Sequence, residues 1–157
     1  MSRKSVFNKK SILPDIKFNS ILVSKFINLV MISGKKTLAE SIVYYALDVL
    51  SNNTNKSHLE SLENVLNNVR PVIEVKSRKI GGSIYQIPIE VKLDRGNTLA
   101  IRWIISFAKK RNEKFNIKIK LSNELLDALN NKGLSIKKRN EIYKIANANK
   151  AFAHYRW

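Results

Sequence analysis

Two histidines, no cysteine and twelve acids leave this chain of 157 residues little for imidazole, thiol or metal chemistry. His58 follows Ser57 in what reads as the first turn of a helix and is expected to be a solvated surface residue. His154 falls in an aromatic, basic tail, where stacking or phosphate contact suits it better than proton transfer. A metal site needs histidines and carboxylates converging at helical spacing, and Glu60 and Glu63 share a segment with no histidine at such a spacing. Gly34-Lys35-Lys36-Thr37 looks like the end of a nucleotide-binding loop, but the upstream glycine and preceding strand are missing. Gly81-Gly82 is followed by no Gly-Lys-Ser/Thr. The expectation is therefore no enzyme, no catalytic residue, no metal and no cofactor.

The chemistry that remains is neutralisation of negative charge. Lys and Arg number 29 against 12 Asp and Glu, a formal charge of +17. Self-repulsion of that size opposes folding unless a partner absorbs it. Nucleic acid is the expected partner, because each neutralised phosphate releases a condensed counterion. A membrane partner is not expected, since no apolar run approaches the ~20 residues of a span. Nor does an apolar stretch follow the early cations Arg3, Lys4, Lys9 and Lys10 as a secretory signal requires. The cations cluster in the arm, at Lys35-Lys36, in the run Lys76-Ser77-Arg78-Lys79, at Lys109-Lys110-Arg111, at Lys137-Lys138-Arg139 and in the tail. Few acids stand beside them, which fits phosphate contact at many points.

These clusters need elements to hold them. The 44% hydrophobic fraction supports a core, and the length suits one domain. Residues 1–19 read as a basic arm, and residues 20–157 as a helical domain with a β-hairpin at about 72–91. The first helix is predicted from Ser20 to Ile32, ended by Gly34. The second is predicted to open on a Thr37–Glu40 capping box, with Ala39, Ile42, Val43, Ala46 and Leu50 buried. The third opens on Ser57–Glu60 and stops before Pro71. Two β-branched runs joined by Gly81-Gly82 then predict a hairpin. Counting alternation along each strand puts Ile73, Val75, Tyr85, Ile87, Ile89 and Val91 on one face, and Glu74, Lys76, Arg78, Gln86 and Glu90 on the other. Asp94 to Asn97 offers caps for a fourth helix near 98–111, with Trp103 buried. A fifth runs to Asn131 and is ended by Gly133. A sixth is capped by Ser135. The predicted class is mainly α, about six helices with a protruding basic hairpin. A DNA-architectural binder and a structured-RNA binder both suit this outline.

Several blocks together carry a resemblance. They are Gly34-Lys35-Lys36, Asn68-Val69-Arg70-Pro71, Glu74-Val75-Lys76-Ser77-Arg78-Lys79-Ile80-Gly81-Gly82-Ser83, Tyr85-Gln86-Ile87-Pro88-Ile89-Glu90-Val91, Ala108-Lys109-Lys110-Arg111 and the closing Ala148-Asn149-Lys150-Ala151-Phe152-Ala153-His154-Tyr155-Arg156-Trp157. The chain resembles, over nearly its whole length, the family of ribosomal protein seven of the small subunit, bacterial or organellar type. The resemblance implies binding to the 3′ major domain of small-subunit ribosomal RNA, nucleation of head assembly, and contacts with neighbouring head proteins. It implies rRNA contacts at Arg3, Lys4, Lys9, Lys10, Lys35, Lys36, Arg95, Arg102, Lys109, Lys110 and Arg111. It places Lys76, Arg78, Lys79, Gly81 and Gly82 of the hairpin near exit-site transfer RNA and messenger RNA. His154, Tyr155 and Arg156 are implied as tail contacts to RNA. The location implied is the ribosome, in a bacterial cytoplasm or in a mitochondrial matrix or plastid stroma. Arg78-Lys79 stands where many relatives have Arg-Arg, keeping charge but losing one bidentate fork.

Overall fold

Apolar residues at helical spacing bury one stripe per helix, and the fold follows from stacking those stripes. The computed structural model describes residues 11–113 and 116–155. In chain order the elements are α1 (Ile21–Val30), α2 (Lys36–Thr54), α3 (His58–Val69), β1 (Ile73–Ile80), β2 (Ser83–Glu90), α4 (Leu93–Lys110), α5 (Ile117–Leu129), α6 (Gly133–Ala148) and a closing 3-10 segment, Lys150–Tyr155. The mainly helical class with one hairpin is as predicted. Helix α5 packs against α2, α3, α4 and α6, and α1 packs against α2 and α4. Phe26, Leu47, Leu50, Leu62, Ile101, Ile104 and Leu125 are fully buried at the centre. The predicted stripe of α2 is buried throughout, with Leu47 added to it.

Several predicted boundaries shift, each for a local reason. Helix α1 ends at Val30, and Gly34, with Ser33, takes a positive φ in the reversal that leads into α2. Helix α2 starts at Lys36, which places Thr37 inside the first turn and removes its capping role; Glu40 pairs instead with Lys36 at 3.7 Å. The Ser57 cap forms, accepting the Glu60 N–H. Helix α4 begins at Leu93, so Asp94 to Asn97 are helical rather than caps. Its first turn closes tightly on the α3–β1 junction. A Cβ on buried Gly96 would stand 2.8 Å from Arg70 Cγ and 3.3 Å from the Pro71 carbonyl oxygen. Helix α5 ends at Leu129, and Gly133 opens α6. Ser135 is therefore inside α6, fully buried. Trp103 is only partly buried, packed against the core, while its neighbours Ile101, Ile104 and Ile105 are buried.

The hairpin faces also differ from the sequence count. Gly81 and Gly82 both take positive φ, +56° and +91°, as a two-residue turn demands. That turn pairs Ile80 with Ser83, and hence Arg78 with Tyr85, Lys76 with Ile87, and Val75 with Pro88. Cross-strand partners share a face, so β1 is flipped relative to β2 against the prediction. Lys76 and Arg78 lie beside apolar Ile87 and Tyr85. Ile73 and Val75 lie beside Glu90 and Pro88. The hairpin leans on α6 through β1 and on the 3-10 segment through β2, where the Phe152 ring sits 5.0 Å from Tyr85. Gly81 to Ile84 at the tip are exposed.

Candidate nucleic-acid interface

Where a helix ends, lysines are favoured by the dipole and left free to reach outward. Helix α4 follows this rule with Lys109 and Lys110 in its last turn. Arg102, Ser106, Lys109 and Lys110 line one shallow groove with Leu29 and Ile105. Lys109 also faces the entry to α2, where it lines an apolar cleft together with Lys35. Thus four of the predicted contact residues, Lys35, Arg102, Lys109 and Lys110, gather on one side. All four are exposed. Among the described residues, no carboxylate lies within salt-bridge reach of any of them.

Other predicted residues sit elsewhere. Lys36, paired with Glu40, lines a separate cleft with Ser11, Asn28 and Pro14. Arg95 and Lys76 meet at the hairpin base through Glu74: Arg95 Nε and Nη2 both stand 2.9 Å from Oε2, and Lys76 Nζ stands 3.1 Å from Oε1. Burial opposes ionisation of Glu74, but the bonds from Arg95 and Lys76, with their charges, hold its carboxyl below the usual range. Arg78 and Lys79 lie near the tip, on opposite faces of β1. His154 and Tyr155 belong to the closing 3-10 segment. Arg3, Lys4, Lys9, Lys10 and Arg156 lie outside the described residues.

Arg111 turns inward. Its Nη1 lies 2.8 Å from Glu124 and 2.7 Å from Asp127, and its Nε lies 2.8 Å from Glu113. Burial disfavours the guanidinium charge, yet Asp127, Glu113 and Glu124 together hold its pKa above the ordinary value. The bond from Arg111, helped by Asn123, lowers that of Glu113. Glu124 is 1% exposed, and its Oε1 accepts the Ser135 hydroxyl at 2.5 Å and the Ser135 N–H at 3.2 Å. Arg111 and Glu113 are near neighbours, but Glu124 and Asp127 come from α5 and Ser135 from α6, and the α4–α5 and α5–α6 packing brings them to Arg111.

His58 is not a free surface residue. Its Nε2 sits 3.0 Å from Asp48 Oδ1, and its ring lies 5.0 Å from Phe18. Phe18 belongs to the last residues of the expected arm, and Asp15 to Phe18 dock on the body through Tyr44. Asp15, 7% exposed, accepts the Lys17 and Phe18 N–H groups and, at 2.7 Å, the Tyr44 hydroxyl. Burial and then this bond to a carboxylate push the Tyr44 hydroxyl up to about 12. Sequence reasoning missed Asp15, Tyr44 and Asp48; no motif marks them.

Among the described residues no group of three or more histidines or acids is placed to hold a metal ion, and no helix is long and apolar enough to cross a membrane. Among the described residues the arrangement presents cations held at the end of α4 and the entry to α2.

Comparison with known proteins agrees with this geometry. Residues 2–150 match the family model described as ribosomal protein S7p/S5e. The chain is 59% identical, over 157 residues covering all of both proteins, to the small ribosomal subunit protein uS7 of Blochmanniella pennsylvanica (strain BPEN). A family match over residues 2–150 and an identity of 59% over both full lengths mean that the chain belongs to the ribosomal protein S7p/S5e family, in its bacterial form.

Proposed function

We propose that this chain binds the 3′ major domain of small-subunit ribosomal RNA and helps nucleate the head of the subunit. Membership of the family makes it a structural, non-enzymatic, RNA-binding protein of the small ribosomal subunit. The observation that carries the finer reading is the group Lys35, Arg102, Lys109 and Lys110, exposed together and without carboxylate partners. Such a face gains most from phosphate, because each contact releases counterions. Helices α2 and α4 both pack on α1 and α5, which holds these cations at set positions for the shape and backbone of the RNA. The hairpin, braced at its base by Glu74, reaches toward exit-site transfer RNA and messenger RNA. Arg111 acts indirectly, by holding the α4–α5 turn that presents Lys109 and Lys110.

Two measurements test this. Affinity for a 3′ major domain transcript is expected to fall linearly in log–log form with salt, and Lys109→Ala to reduce the slope by about one. Competition with duplex DNA of equal charge is expected to displace the transcript weakly. Binding that ignores salt, or equal displacement by DNA, refutes the proposal.

A further inference from the structure

An apolar cleft of about 470 Å³ opens between the end of α1, the start of α2, the end of α4 and the start of α5. Its walls include Val30, Leu38, Ile42, Ile105, Ala108 and Leu121. The volume lies within the range of small-molecule sites. At its mouth Ile32 and Leu38 are 61% and 53% exposed, costly positions for large apolar side chains if nothing covers them.

Charge identifies the occupant. The lining contains Lys35 and Lys109 and no acid. Ile105 and Lys109 also line the neighbouring groove of Arg102, Ser106 and Lys110. An apolar cavity thus opens directly onto a run of unneutralised cations. A partner with an apolar body and negative charges on either side of it satisfies both features. An unstacked nucleotide has that form: its base has apolar faces, and its flanking phosphates are anionic. Sequence-specific RNA recognition commonly uses bases splayed out of single-stranded loops and bulges. An apolar protein segment fills the cleft as well but leaves Lys35, Arg102, Lys109 and Lys110 without counter-charge.

The geometry points to this cleft as a receptor for one unstacked ribosomal RNA base, with its phosphates on Lys35 and Lys109. This inference rests on the rRNA-binding reading and adds to it a base-accepting pocket. It gives Ile32 and Leu38 a role that charge alone does not require.

The test separates apolar from ionic contributions. Leu38→Ser and Ile32→Ser, together, change surface positions and no charge, so the fold and the salt slope are both expected to be preserved. Their folding is checked by circular dichroism and urea melting. Affinity for a 3′ major domain transcript is expected to fall about ten-fold at constant slope, whereas Lys109→Ala lowers the slope. A transcript carrying 4-thiouridine is expected to crosslink to peptides containing residues 30–42 or 105–109. Unchanged affinity and no adduct in these peptides overturn the base pocket while leaving salt-dependent rRNA binding intact. Unchanged transcript affinity with lost incorporation into subunits assigns the cleft to a protein neighbour and likewise overturns it. Loss of salt-dependent binding in the unmodified protein refutes the underlying rRNA reading instead.

Discussion

Replacing Arg111 by alanine strips the counter-charge from Glu124, a carboxylate 1% exposed to solvent. In the native protein its Oε2 accepts Arg111 Nη1 at 2.8 Å, and its Oε1 is held by Ser135. Removing one partner of a buried ion pair costs about 3–5 kcal/mol, because the surviving charge is left uncompensated. Two features place this site at the lower end. Ser135 continues to satisfy one carboxylate oxygen, and the Arg111 side chain is 19% exposed, so its removal admits water. About 3 kcal/mol is the expected loss, equivalent to a fall in Tm of about 6–12 °C for a chain of this size. Urea unfolding followed by circular dichroism measures it. Glu124→Gln in the same background is expected to recover part of the loss, since it removes the stranded charge and keeps an acceptor for Ser135. The slope of rRNA affinity against salt is expected to stay unchanged, because the carboxylates already neutralise this guanidinium. A loss below about 1 kcal/mol combined with a slope reduced by about one refutes the reasoning and makes Arg111 a phosphate contact.

Three further outcomes are expected. Gly96→Ala gains about 1 kcal/mol of helix propensity but drives its Cβ against Arg70 and the Pro71 carbonyl; the net effect expected in a urea melt is a loss of about 1 kcal/mol, and a gain refutes the close contact. Tyr44→Phe removes the 2.7 Å bond to buried Asp15 and is expected to cost about 2 kcal/mol, measured the same way; a neutral result means that water replaces the hydroxyl. For Glu74 the folded carboxyl lies below its unfolded value, so its tie to Arg95 and Lys76 stabilises above about pH 4.3 and is lost as pH falls through the folded value. The stability gap between Glu74→Gln and the unmodified protein is therefore expected to be largest at neutral pH and to close in acid; a constant gap shows that the contribution is not ionic.

Helix existence was legible wherever apolar spacing ran long. Ala39, Ile42, Val43, Ala46 and Leu50 repeat cleanly and are all buried. Boundaries were less legible, because capping residues compete. Thr37 has the right side chain and Glu40 the right distance, yet after the Ser33-Gly34 reversal the cap position falls on Lys35, two residues early. Asp94 to Asn97 look like caps, but Gly96 lets the helix begin against Arg70, a contact invisible without the packing. The basic clusters could be listed from sequence. Their sorting into free cations (Lys35, Arg102, Lys109, Lys110) and tied ones (Lys76, Arg95, Arg111) could not, because Glu74 lies 21 residues from Arg95, and Glu124 13 from Arg111.

The hairpin shows how one turn decides where charge goes. Alternation along each strand is a local property and was read correctly. The relation between strands depends on whether the loop holds an even or odd number of residues, and a slip of one exchanges the faces. Two glycines with positive φ make a two-residue loop, which sets Lys76 opposite Ile87 and Arg78 opposite Tyr85. The face bearing Ile87 and Tyr85 must pack, since Ile87 is fully buried and Tyr85 meets Phe152. Lys76 consequently shares the packed face, half exposed and paired with Glu74 of the same strand at 3.1 Å, and Arg78 lies on the face braced by the tail. Lys79 falls on the opposite face, across from Ile84, which is 73% exposed. The three cations that read as one basic finger thus divide. Lys76 secures the base, and Lys79 beside the glycine turn is the charge that the hairpin extends outward.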